Sequence, residues 1–106
     1  MAFTVEIAFR ARRDIEEIAA YIAADSPRRS SRWRQRLEGK LRSLTAMPTA
    51  CGLAPEDEVS GREIRQLLLG SYRVLFTIDG SRVLVLTVRH GARRLMTGDE
   101  VDEIGD

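Results

Sequence analysis

The sequence predicts an α+β domain in the order β-α-α-β-β-β, with a helical hairpin packed on a small antiparallel sheet. Three observations carry that prediction. Residues 64–69, 72–78 and 83–88 are apolar runs separated by Gly70-Ser71 and Asp79-Gly80-Ser81. These turn sequences make the runs a three-stranded antiparallel meander, and the Asp-Gly pair suits the positive φ of a tight hairpin. Two earlier stretches carry apolar residues at helical spacing, and residues 3–7 alternate Phe3, Val5 and Ile7 against Thr4 and Glu6.

Residues 3–7 therefore form a short, half-buried strand. Ala11, Ile15, Ile18, Ala19 and Ile22 then mark a helix over about residues 10–24, with Arg12, Arg13, Asp14, Glu16 and Glu17 largely outward. No Ser, Thr, Asp or Asn stands just before it, so its start is weakly signalled. Ser26 reads as the N-cap of a second helix with Pro27 at its first position. That helix extends to about residue 46, with Trp33, Leu37, Leu41 and Leu44 in a narrow core-facing stripe. Arg28, Arg32 and Arg42 lie opposite and read as a solvated face, with a binding patch as the alternative. Pro48, Gly52, Pro55 and Gly61 mark residues 47–61 as a loop, and its Glu56-Asp57-Glu58 run reads as solvated.

In the middle strand Tyr72, Val74, Phe76 and Ile78 share one face, and Ser71, Arg73, Leu75 and Thr77 the other. The second set is not fully polar, so both faces of the sheet are expected to be partly covered. Arg65, Arg73 and Arg89 interrupt largely apolar strands. A guanidinium there needs a partner or a ligand, because desolvating it alone is costly. Glu63 and Asp14 are candidate partners for Arg73.

At 106 residues the chain makes one domain. The folded unit is expected over residues 1–97, with residues 98–106 an acidic, flexible C-terminal tail. No apolar run approaches the ~20 residues that span a bilayer. The N-terminal residues lack a signal peptide's apolar segment, so a cytoplasmic location without a membrane partner is expected. A single cysteine, Cys51, and a single histidine argue against an internal disulfide or a zinc site, and no metal or cofactor is expected. The net charge of +1 hides an asymmetry: residues 1–98 carry seventeen basic and eleven acidic side chains. Every basic residue but Lys40 is arginine, whose planar fork suits phosphate or carboxylate. An anionic partner follows, either nucleic acid or an acidic protein segment.

The segment ARRDIEEIAAYIA, then Gly70-x-Tyr72-Arg73-Val74, then Val88-Arg89-His90-Gly91-x-Arg93, resembles the RelE/ParE superfamily of toxins from type II toxin–antitoxin modules. The resemblance spans about residues 3–95. It implies a growth-inhibiting protein neutralised by a cognate antitoxin, with operator DNA reached only through the antitoxin complex. RelE-like members cleave mRNA on the ribosome; ParE-like members are associated with poisoning DNA gyrase. In the ribonuclease case Arg73, at the strand position where the resemblance puts an active-site arginine, His90 and Arg93 are the catalytic candidates; Arg65, Tyr72 and Arg89 are the binding candidates. Two departures matter. Residues 91–97 contain no tyrosine where such ribonucleases carry one, and their lysine-rich patch is missing. The His-Gly-Ala-Arg form is more typical of ParE-like sequences, which makes that branch the favoured one. An inactive antitoxin-binding module is the remaining alternative. His90 and Arg93 also have a purely structural alternative, bonding backbone around the end of the last strand. The tail, too, has an alternative: folding back over the arginine-rich surface.

Overall fold

The computed structural model describes residues 2–105. Its elements are β1 (Thr4–Ile7), α1 (Phe9–Asp25), α2 (Pro27–Ser43), β2 (Arg65–Leu69), β3 (Tyr72–Asp79), β4 (Arg82–His90) and a short α3 (Gly98–Asp102). The sheet order is β1-β4-β3-β2. The expected meander is present, with β3 antiparallel to both β2 and β4. β1 joins the far side of β4 in parallel, Thr4 opposite Arg82 and Ile7 opposite Val85, so the sheet is antiparallel except for this one pair. Among the described residues, no helix is long and apolar enough to cross a membrane.

Local chemistry sets these boundaries. Ser26 serves both helices: its N–H closes α1 on the Ile22 carbonyl (2.8 Å), and its hydroxyl caps α2 by accepting from Arg29 N (3.2 Å). Pro27 follows at the first position of α2, as the sequence predicts. The buried Ser30 hydroxyl donates to the Ala19 carbonyl (2.7 Å), and an Arg34–Glu16 ion pair spans the hairpin. Both strand turns are two residues long. Gly70 (φ 56°) and Gly80 (φ 62°) occupy their first positions, so Asp79 ends β3 instead of sitting in the turn. A positive φ there is inexpensive only for glycine.

The helices cover one face. Trp33, Leu37, Leu41 and Leu44 pack there with Val74, Phe76, Val83, Val85 and Val88. A bulge on β4 makes this arrangement possible: Leu75 faces Thr87 while Phe76 faces Val85, leaving Leu86 as the extra residue. Val83 and Val85 before it and Val88 after it can therefore all point at the helices, while Leu84 and Leu86 point away. Beyond the end of β1, Asp14 of α1 accepts from the Thr87 hydroxyl and from Val88 N, satisfying the open edge of β4.

The second face is also covered, by segments expected to be solvated. Ile64, Leu75, Leu84 and Leu86 pack against Ala54 of the long loop and against Met96, Val101 and Ile104 of the C-terminal segment. This corrects the boundary drawn at residue 97. The segment from Leu95 onward is docked: Thr97 and Glu100 form a reciprocal capping box that starts α3, and Val101 is wholly buried. Asp102 accepts from the Ser60 hydroxyl and Gly61 N, and Arg62 Nη2 donates to the Val101 and Ile104 carbonyls (2.9 and 2.6 Å). The acidic composition hid two apolar residues at helical spacing, Val101 and Ile104. Asp106 lies outside the described residues.

Val101→Ala should accordingly lower stability by about 2 kcal/mol through lost burial and a residual cavity, read from the urea midpoint. A free tail would give a change within about 0.5 kcal/mol.

Candidate functional site

Neighbouring positions on β3 project to opposite faces of the sheet, and so do their partners on β4. Tyr72 sits opposite His90, and Arg73 opposite Arg89. The first pair lies on the helix side. The second lies under the loop and the C-terminal segment.

Arg73 is 8% exposed and Glu56 1% exposed, and they form a two-pronged ion pair: Nη1 to Oε1 at 3.0 Å and Nη2 to Oε2 at 2.8 Å. Gln66 Oε1 also accepts from Arg73 Nη1 (3.0 Å), and Glu56 Oε2 accepts from Met96 N (3.2 Å). Burial alone would raise the Glu56 pKa. The hydrogen bonds from Arg73 and Met96 N, with the Arg73 charge, outweigh it and hold the carboxyl below its ordinary value. The solvated-loop expectation for Glu56 is therefore overturned, and neither Glu63 nor Asp14 is the partner of Arg73. The 3-10 turn Pro55–Glu58 places Glu56 inward while Asp57 accepts from Ile64 N (2.9 Å). A buried strand arginine seeking a carboxylate, with a proline-led acidic run nearby in sequence, was the available signal.

Arg89 is 2% exposed; Nη2 donates to the Arg94 carbonyl (2.7 Å), and Nε has no partner among the described residues. Burial, with repulsion from Arg93 and Arg73, lowers its pKa below the usual arginine value. Arg65 bonds Glu63 (2.9 Å) and the Cys51 carbonyl, bracing the loop against β2. Cys51 is half-buried, and burial raises its thiol pKa, which makes it a poorer nucleophile at neutral pH.

On the helix side, Trp33, Tyr72 and His90 form an edge-to-face row, with ring centroids 5.6 and 5.2 Å apart. His90 Nδ1 accepts from Ala92 N (3.0 Å), and Arg93 N donates to the His90 carbonyl (3.1 Å), turning the chain sharply after β4. The row floors a cleft of ≈ 970 Å³ between the helical hairpin and the β2–β3 turn. Tyr72, His90 and Arg93 also line an adjoining ≈ 330 Å³ cleft under α1. The six residues singled out from sequence thus fall into separate groups. Arg73 and Arg89 are buried on one face, Tyr72 and His90 sit on the other, Arg93 is exposed past the strand, and Arg65 braces the loop. Arg73 does not converge with His90.

The comparisons match this architecture. Residues 5–95 match the family described as the ParE toxin of type II toxin–antitoxin system, parDE. The chain belongs to this family. Among solved structures, the chromosomal ParDE toxin–antitoxin system from P. aeruginosa superposes with a TM-score of 0.68 at 18% identity, over 84% of this chain and 96% of that one. The toxin–antitoxin complex RelBE2 from Mycobacterium tuberculosis gives 0.58 at 26% identity, over 85% and 99%. A double arginine-to-alanine variant of E. coli RelE in the free state gives 0.61 at 19%, over 87% and 86%. No curated protein matches the sequence.

In this ParE-family toxin the Glu56–Arg73 pair has a definite pH signature. The folded Glu56 pKa lies below the ordinary 4.5, so its stabilisation is complete above that value and is lost as pH falls through the folded pKa. Glu56→Gln should cost about 3 kcal/mol at neutral pH. It should also lose less further stability than the parent between about pH 5 and pH 3, both read from denaturant midpoints. Arg73→Met should cost about 3–5 kcal/mol. The double variant should cost clearly less than the sum, because neither charge is then left alone in the interior.

Proposed function

We propose that this toxin arrests growth by binding its target without chemistry of its own, in the ParE manner of poisoning DNA gyrase, and that a cognate antitoxin holds it inactive. The observation that carries this reading is the engagement of Arg73. A ribonuclease of the RelE branch would need that arginine's fork for the scissile phosphate. Here Glu56 occupies both prongs in the interior, and Gln66 shares one of them. Displacing Glu56 would leave a carboxylate buried beside Met96 without its cation, which is strongly unfavourable. The remaining chemical groups are no better placed. His90 faces away from Arg73, and no tyrosine follows β4. General acid and base groups must converge on one phosphate to act together.

The ParE family match supports the non-catalytic branch. The ParDE and RelBE2 neighbours are toxin–antitoxin systems, which supports an antitoxin partner for this chain. Operator DNA would then be met through the antitoxin complex, and a cytoplasmic location goes with such a target.

Controlled induction in a heterologous bacterium tests the reading, with plasmid topology and message integrity followed together. The expected outcome is growth arrest with altered supercoiling and intact messages. Discrete cuts in translated messages, mapped by primer extension, would overturn it.

A further inference from the structure

Apart from the ion-paired face that carries Arg73, the toxin presents a second cationic feature on the opposite side of the sheet. Arg29, Arg32, Arg36 and Lys40 recur every three or four residues along α2, so they form one stripe about 16 Å long beside the core-facing Trp33. All four are exposed. Arg29 is held by Asp25 (3.2 Å), whereas Arg32, Arg36 and Lys40 have no carboxylate partner among the described residues. Three neighbouring like charges on one helix face repel one another. The stripe's first three members line the ≈ 970 Å³ cleft, whose floor is the Trp33–Tyr72–His90 row and whose rim includes Tyr21, 79% exposed.

The make-up of the cleft distinguishes between anionic partners. A protein partner is expected to meet a contiguous apolar centre ringed by polar groups. Among the described residues, the other large exposed apolar ones, Phe9, Met47, Leu53, Val59, Leu68 and Leu95, all lie outside the cleft. Beside Tyr72, the cleft's apolar lining is Ile22, Ala24, Trp33 and Leu69, the large ones buried or half-buried. What it exposes is guanidinium groups in a row, a phenol ring, an imidazole and the Asp25 carboxylate that holds Arg29. A charged groove that tracks a backbone, beside aromatic faces that receive bases, is the arrangement that holds single-stranded nucleic acid. We infer that this cleft binds single-stranded nucleic acid, with Arg32, Arg36 and Lys40 on successive phosphates and a base stacked on Tyr21. The site is independent of the gyrase reading and of the buried Arg73.

Fluorescence anisotropy on the full chain with a labelled oligothymidylate, and with its oligouridylate counterpart, tests the inference. Binding should fall with salt at a log–log slope of about −2, the value for three phosphates on a single strand. Arg32→Glu/Arg36→Glu should weaken it by at least about tenfold. Tyr21→Ala should weaken it by about fivefold or more. Arg12→Glu/Arg42→Glu removes the same charge from exposed positions elsewhere on the hairpin and should leave affinity nearly intact. All four substituted arginines and Tyr21 are exposed, so circular dichroism should show folded variants. Tighter binding of one oligonucleotide would assign the natural strand to DNA or RNA. No binding of either, equal losses in the two double variants, or displacement by polyglutamate at the same charge concentration would each overturn the inference. The last result would assign the cleft to an acidic protein segment.

Discussion

The second face of this toxin's sheet is closed around a buried ion pair, Glu56 with Arg73. Glu56 and Arg73 join the long loop and the C-terminal segment, which have little regular structure of their own, to the second face of the sheet. Two charges are costly to desolvate, and the attraction between them offsets that cost only when their remaining hydrogen-bonding capacity is met. Here Gln66 and Met96 N meet much of it. The carboxylate is therefore both a counter-ion and a clamp, since its contact with Met96 fixes where the chain crosses the sheet. Around it Met96, Val101 and Ile104 close a second core over Leu75, Leu84 and Leu86.

The bulge at Leu86 complements this clamp. Side chains in a strand alternate, so one extra residue reverses every later assignment of face. With it, Val88 and His90 join the helix side and Arg89 comes to lie beside Arg73. An antitoxin or target approaching the helix side would thus meet aromatic rings and surface arginines, whereas the opposite side presents a cover stitched down by polar contacts. One sheet serves two surfaces of unlike chemistry.

Much of this was legible in the sequence. The hairpin, the Ser26 cap with Pro27, the meander and the alternation of Tyr72 against Arg73 all follow from local period and turn chemistry, which act between near neighbours. What was not legible was long-range. Nothing local says that Glu56, and not Glu58 or Glu63, turns inward, because the choice is made by an arginine seventeen residues away. The acidic C-terminal residues looked solvated because strand and helix periods do not reveal the partners of their carboxylates: Arg94 and Thr97 N bond Glu100, and the far-off Ser60 hydroxyl and Gly61 N bond Asp102. The parallel addition of β1 was hidden for the same reason, since strand alternation is blind to partner and direction. Of the candidate site residues, their number along the strands was clear, but the bulge that sorts them onto faces was not.

The pairing of β1 with β4 has a consequence for synthesis. β4 is a central strand, with β1 on one side and β3 on the other, and it is the last of the four to leave the ribosome. Residues 4–7 must therefore wait for residues 82–85 before the sheet can close, and contacts of such sequence separation form late and slowly. A nascent chain halted short of β4 has neither core complete. The folded domain can therefore form only after residues 82–90 have been made, a delay that resides in strand order alone.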